Sequence, residues 1–234
     1  MSTNPQNNMY AKSALKHIRP YRVLSIRDGR EEEVKFFMPS ADGAGGLTVF
    51  ESLMLIKLLR VVNPDYIFEF GTFNGQTTRL MLEDIPKNQI KEDRIYTLDL
   101  PDTEGVVFQG DDGLLAEKAL LSERKYTLSK KMSLVKQVLQ DSMTLDAELY
   151  SDKFSFIFID ANHEYEYVKR DTENALNMIT GEINCIVWHD YGNPQFPELT
   201  KYLEDLAENM ELYHIEGTML VFCLNGKKIG AERA

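Results

Sequence analysis

The sequence predicts an α/β fold, a doubly wound sheet of seven mainly parallel strands whose last strand runs antiparallel. Short apolar runs alternate with amphipathic stretches from residue 66 to residue 209, the pattern of parallel strands joined by crossover helices. The first run, Tyr66 to Phe70, breaks into Gly71-Thr-Phe-Asn-Gly75 and a helix start, where glycines allow a sharp turn and close approach of the backbone to a ligand. Near the end, two strand-like runs are joined by Glu216-Gly217, a link short enough for an antiparallel hairpin.

Residues 1–47 are expected to form an N-terminal tail and cap segment, mobile to about residue 12, with a glycine loop at 42–46. The main domain is expected over 48–225, followed by a tail at 226–234. Thr48 reads as a helix cap and Asn63-Pro64 as that helix's stop. The glycine turn leads into a helix to Glu83, and Arg94–Leu100 forms the second strand. Residues 101–131 lose the alternation and read as an insertion after a strand's carboxyl end, where insertions often cover a site. Strands follow near 134–139 and 154–159, then a helix over 165–179, a strand over 184–188, a helix over 196–209 and the final hairpin, 212–215 with 218–224.

With 234 residues, 43% of them hydrophobic, the chain can bury one large core. A formal charge of −11, with no dense Lys/Arg cluster, argues against binding nucleic acid through its phosphates. No apolar run is long enough to span a membrane, and the polar opening is unlike a secretion signal. The expectation is a cytoplasmic protein with a small-molecule ligand and no membrane or nucleic-acid partner; homo-oligomerisation is left open. Cys185 and Cys223 sit in apolar runs and read as buried free thiols.

Five consecutive strand ends carry Glu69, Asp99, Asp141, Asp160 and Asp190. In an open parallel sheet this edge is where ligands lie. Any one of the five could simply cap a helix, but five in a row point to a site. Asp99, about thirty positions after Glu69, is placed to accept hydrogen bonds from both hydroxyls of an adenosine ribose. The turn lacks the tight Gly-x-Gly spacing that seats a pyrophosphate.

Glu69, Gly71, Gly75 and Thr77 resemble the first motif of the class I S-adenosylmethionine-dependent methyltransferases, an acid followed by Gly-x-x-x-Gly-x-Ser/Thr. The stretch from Phe154 through Ile159-Asp-Ala-Asn-His-Glu-Tyr165, with the later His189-Asp-Tyr191, is similar to the catechol-type and sugar-type small-molecule O-methyltransferases. The resemblance covers about residues 48 to 224. It implies a Rossmann-like methyltransferase fold and S-adenosylmethionine as cofactor, held by Glu69, Gly71, Thr72, Phe73, Gly75, Thr77 and Asp99. It also implies that Asp141 and Ser142 flank the adenine and that Asp160 sits where the methyl meets the substrate, a sugar or natural-product-like hydroxyl.

Where catechol-type enzymes carry a lysine base, this chain has His163, whose pKa near 6.5 suits proton removal at neutral pH; His163 and Asp160 are the expected catalytic residues. In those enzymes a divalent cation is held by the strand-end aspartate and an Asp-Asn pair, replaced here by His189-Asp190. Asp160, Asp190 and His189 could therefore hold magnesium or manganese, or His189 and Asp190 could form a plain hydrogen-bonded pair. Two other readings stay open: a nicotinamide-dependent oxidoreductase using Tyr165 and Lys169, and a non-catalytic cofactor-binding protein. The aromatic residues Phe36, Phe37, Phe73, Tyr165, Trp188 and Tyr191 could line an acceptor pocket or belong to the core.

Overall fold

The structure, a computed structural model, describes residues 14–26, 33–34, 45–85 and 93–229. The expected mobility of residues 1–12, most of the glycine loop, and Phe36 and Phe37 lie outside them. In chain order the elements are β1 (Lys16–Ile18), α1 (Pro20–Leu24), α2 (Val49–Val62), β2 (Ile67–Phe70), α3 (Gln76–Asp84), β3 (Ile95–Asp99) and α4 (Asp112–Leu121). They continue with β4 (Val135–Leu139), β5 (Phe156–Ile159), α5 (Tyr165–Met178), β6 (Asn184–Trp188), α6 (Pro197–Ala207), β7 (Tyr213–Ile215) and β8 (Val221–Asn225).

The strands form one sheet in the order β1-β7-β8-β6-β5-β2-β3-β4. All pairings are parallel except those of β8, antiparallel to both β6 and β7. The sheet therefore has eight strands, one more than the sequence predicts. The extra strand, Lys16-His-Ile18, runs parallel to β7 at the sheet edge; three residues with one buried side chain give no period to read. It also places part of the N-terminal segment inside the sheet, ahead of residue 48.

Side chains of the inner strands alternate between two apolar layers. Ile67, Phe156, Phe158, Cys185 and Val187 face one cluster with helices α2 and α3. Phe68, Phe70, Ile157, Ile159, Ile186 and Trp188 face the other with α5 and α6. Trp188 is wholly buried and its indole donates to Thr172 Oγ1 at 3.0 Å, so it belongs to the core and not to an acceptor pocket. Cys185 and Cys223 are buried and unbonded, as expected.

Helix α2 begins on a capping box: Thr48 Oγ1 accepts from the Glu51 amide at 3.2 Å and Glu51 Oε2 accepts from the Thr48 amide at 2.9 Å. It ends at Asn63, whose φ of 49° closes the helix in the left-handed region.

Candidate functional site

Helices α3 and α5 follow β2 and β5, so the carboxyl ends of β2, β3, β4, β5 and β6 open on one edge of the sheet, and a cavity of about 550 Å³ lies there. Gly71, Asp99, Ser142, Asp160 and Asp190 reach it from five strand ends, and the inserted helix α4 closes it with Leu114, Leu115, Ala116 and Ala119.

The two glycines of the turn work mainly on the protein's own chain. Gly71 has φ +90°, and a Cβ there would lie 1.8 Å from the Asp160 carbonyl oxygen, so the end of β2 passes directly against the end of β5. Gly75 has φ +71° and starts α3; a Cβ would meet the Tyr126 ring at 2.8 Å. Its missing side chain thus admits the insertion.

Glu69 is fully buried beneath the cavity on the α2/α3 side of β2. Its Oε2 accepts from Thr78 Oγ1 at 2.5 Å and Thr97 Oγ1 at 2.6 Å, while Oε1 has no hydrogen-bond partner among the described residues. Burial raises its pKa to about 8, against the two threonine hydroxyls, which lower it. Thr78, next to the Thr77 expected to help hold the cofactor, is the helix threonine that bonds to the acid. Thr72 turns inward to Thr97 and Gln137.

Asp99 lines the cavity, its Oδ2 accepting from Arg124 Nη2 at 3.0 Å. The same guanidinium donates to the carbonyls of Ala119, at 2.8 Å, and Phe73, whose φ of 46° turns that carbonyl toward it. Burial raises the Asp99 pKa, and the Arg124 charge opposes the rise. Ser142 lines the cavity with Gln140, whereas Asp141 accepts from the Met143 amide at 2.9 Å and Tyr167 Oη at 3.3 Å, capping the turn after β4.

The far end of the cavity is polar. His189 Nδ1 lies 2.9 Å from Asp190 Oδ2 and 3.4 Å from Asp160 Oδ1, and its Nε2 lies 3.5 Å from Glu51 Oε1. His163 Nδ1 lies 2.7 Å from Asp112 Oδ2, and its Nε2 is 3.1 Å from Asp190 Oδ2 and 3.9 Å from Asp160 Oδ1. Phe196 stacks on the His163 ring at 3.8 Å. Asp190 adopts φ +63°, uncommon for a non-glycine residue, and Asn193 Nδ2 donates to its Oδ1 at 2.7 Å.

Burial disfavours charge on both imidazoles, but the surrounding carboxylates outweigh it. Asp112 and Asp190 raise His163 to about 9. Asp160, Asp190 and Glu51 hold His189 well above its usual range. Glu51 falls to about 2 despite its burial, because His189 and the Met219 amide stabilise its charge. Asp112 and Glu51 were not singled out in the sequence. Asp112 sits in the insertion, 51 positions from His163, and Glu51 sits in the first turn of α2, where it closes the capping box with Thr48.

Tyr165 packs edge-on against Tyr202 at 5.4 Å, and neither it nor Lys169 lines the cavity. Among the expected site residues the cavity brings together Gly71, Phe73, Asp99, Ser142, Asp160, His163, His189 and Asp190; Glu69, Thr72, Gly75, Thr77 and Asp141 do not line it.

A cavity at the carboxyl ends of a mainly parallel sheet, with an aspartate ending β3 and a glycine turn after β2, is where an α/β protein of this architecture holds a small-molecule ligand. A family model described as a methyltransferase domain matches residues 68–191, more than half of the chain, and the chain belongs to that family. The fold is similar to the S-adenosylhomocysteine-bound methyltransferase PaMTH1 of Podospora anserina, with 16% identity and TM-score 0.54 over 80% of this chain and 82% of that one. It is also similar to the O-methyltransferase TomG of Streptomyces achromogenes, solved with S-adenosylmethionine (15%, TM-score 0.53, 78% and 82%). An O-methyltransferase from Bacillus cereus is a third likeness (16%, TM-score 0.50, 79% and 84%). No curated protein matches the chain in sequence.

Proposed function

We propose that this protein transfers the methyl group of S-adenosylmethionine to a hydroxyl of a small molecule in the cytoplasm. The observation that carries the reading is the single cavity joining Asp99 and Ser142 at one end to Asp160, His163, His189 and Asp190 at the other. Five aspartates line it, Asp99, Asp111, Asp112, Asp160 and Asp190, and no Lys or Arg does so among the described residues. Such a field favours a cofactor bearing sulfonium and ammonium charges over a dinucleotide pyrophosphate. The positions of Tyr165 and Lys169, off the cavity, weigh the same way. Among the described residues no helix is long and apolar enough to cross a membrane.

The residues fit the cofactor. Asp99 offers a carboxylate to the ribose, Ser142 and Gln140 border the adenine end, and Leu98, Leu100 and Phe73 supply apolar wall beside Gly71. Glu69 lies buried beneath this wall, its Oε1 without a hydrogen-bond partner among the described residues, and does not line the cavity itself. The cofactor supplies an electrophilic methyl; the chain's work is to align an acceptor oxygen with it and let its proton go. Oxygen as the acceptor atom is supported by the O-methyltransferases among the similar folds.

Asp160, His189 and Asp190 each offer a ligand atom, all within 4.8 Å of one another, so the set suits a divalent cation. A bound cation would lower the pKa of a coordinated hydroxyl. Two roles are then open to His163: proton acceptor, as the sequence predicts, or a further ligand.

The test is calorimetric titration with S-adenosylhomocysteine and, separately, with nicotinamide dinucleotides, alongside Asp99→Ala. Micromolar binding of the first that the variant loses supports the reading, and tighter dinucleotide binding sinks it. Turnover with candidate acceptors separates an enzyme from a cofactor-binding protein.

A further inference from the structure

We infer that Arg124, carried by the insertion to the back of the cavity wall, is a positioning residue for the cofactor: it holds the Asp99 carboxylate in the orientation that receives the ribose hydroxyls. The inference rests on the methyl-transfer reading of this cavity.

Asp99 ends β3 and lines the cavity, and its carboxylate is held at both oxygens. The Leu100 amide donates to Oδ1 at 3.0 Å, and Arg124 Nη2 donates to Oδ2 at 3.0 Å. Two donors on two oxygens fix the plane of the group, which one amide alone would leave free to turn about a broad torsion. Arg124 is the cation in ion-pair contact with Asp99 among the described residues, and the two side chains are only 14% and 17% exposed. A pair so shielded is screened far less than one on the surface. The guanidinium also favours the charged form of the acid, against the burial that disfavours it. That form has acceptors for two hydroxyls, whereas a neutral acid spends one oxygen on its own proton.

The guanidinium is fixed on its other side too. Arg124 Nη1 donates to the Ala119 carbonyl at 2.8 Å and to the Phe73 carbonyl. Ala119 lies in the last turn of α4, where carbonyls lack helical partners, and Phe73 lies in the glycine turn after β2. Asp99, Phe73 and Ala119 all line the cavity, whereas Arg124 does not. Its guanidinium therefore joins three pieces of the wall from behind, without reaching the ligand. The planar fork of an arginine suits this task, because it meets several acceptors at once in a fixed geometry.

The chain around Arg124 is anchored so that its reach is set. The Lys125 amide donates to the Asn74 carbonyl at 2.7 Å, and Lys125 Nζ donates to Gln76 Oε1 at 2.8 Å. Gly75, between those two acceptors, leaves room for the crossing: a Cβ there would lie 2.8 Å from the Tyr126 ring and 3.3 Å from the Arg124 Cβ. The residue after Arg124 is thus bonded to the same turn that carries Phe73.

The test is calorimetric titration of the full-length protein with S-adenosylhomocysteine and with its 2′,3′-dideoxy analogue. The wild type is compared with Arg124→Met, Asp99→Ala and the double variant. Arg124→Met should weaken binding of S-adenosylhomocysteine by at least about tenfold, the scale of a charge-assisted contact. The loss should shrink to within about threefold for the dideoxy analogue and in the Asp99→Ala background, because a residue acting through another adds nothing once that route is gone. A folded Arg124→Met that binds S-adenosylhomocysteine like wild type overturns the inference. So does an equal loss for the analogue, which would mean that Arg124 only packs the wall. Should Arg124→Met not fold, a crystal structure of the wild-type complex with S-adenosylhomocysteine decides: Asp99 is expected to accept from both Arg124 and the ribose hydroxyls. Ribose hydroxyls held elsewhere, or an Arg124 withdrawn from Asp99, overturn the inference and leave the proposed function standing. No binding of S-adenosylhomocysteine by the wild type overturns both.

Discussion

Asp112 Oδ2 lies 2.7 Å from His163 Nδ1 and so ties the first turn of the inserted helix α4 to the polar end of the cavity. Three residues beyond that helix, Arg124 reaches Asp99 at the other end. The insertion therefore engages both ends of the site as well as covering it.

Replacing Asp112 by Asn keeps the shape and removes the charge behind His163. Because Asp112 helps to raise the His163 pKa, the imidazole is expected to lose its proton at a lower pH in the variant, read by NMR titration of its ring protons. An unchanged titration of His163 would sink the assignment of Asp112 as a positioning residue.

Asp99→Ala removes the cavity carboxylate that the proposed function assigns to the ribose hydroxyls. Bonds to a charged acceptor contribute about 1.5–3 kcal/mol each, so S-adenosylhomocysteine should bind at least about tenfold more weakly. Wild-type affinity in the variant would show that the ribose lies elsewhere.

Gly71→Ala forces a Cβ onto the Asp160 carbonyl at a φ of +90°. Neither backbone can yield without moving a central strand end, and overpacking with left-handed strain costs on the order of 3 kcal/mol. The melting temperature should drop by roughly 6–12 °C; a drop of a degree or less in a thermal scan would mean that the strand ends are not packed this tightly.

Asp171 on α5 is wholly buried, with neither oxygen in hydrogen-bond geometry with a described residue, and burial raises its pKa to about 7 against the opposing influence of Ser142. The folded chain keeps a proton there that the unfolded chain loses near pH 4. Stability is therefore lost as pH rises between those values, and the loss is complete above pH ~7. Asp171→Asn should raise the melting temperature more at pH ~8.5 than at pH ~5.5. Equal gains at both would contradict the shift.

Helices and inner strands were legible because their signals are local. Thr48 announces a helix cap, Asn63-Pro64 a stop, and runs such as Phe154–Ile159 a strand. β1 was not legible: Lys16-His-Ile18 becomes a strand only because β7 offers it an edge. Thr77 and Thr78 look alike in the sequence, and only helix phase selects Thr78 to meet Glu69. Asp141 shares the strand-end position of Asp99 but spends its carboxylate on a local cap.

The sequence by itself determined the α/β alternation, the glycine turn and the row of acids at one sheet edge, because period, turn chemistry and strand-end position are properties of consecutive residues. Only the tertiary structure decided what those acids face. Glu51 meets His189 across 138 positions, Asp112 meets His163 across 51, and Arg124 meets Asp99 across 25. Each pairing depends on how distant segments pack over the sheet, and packing distributes burial and charge in ways that no local pattern encodes.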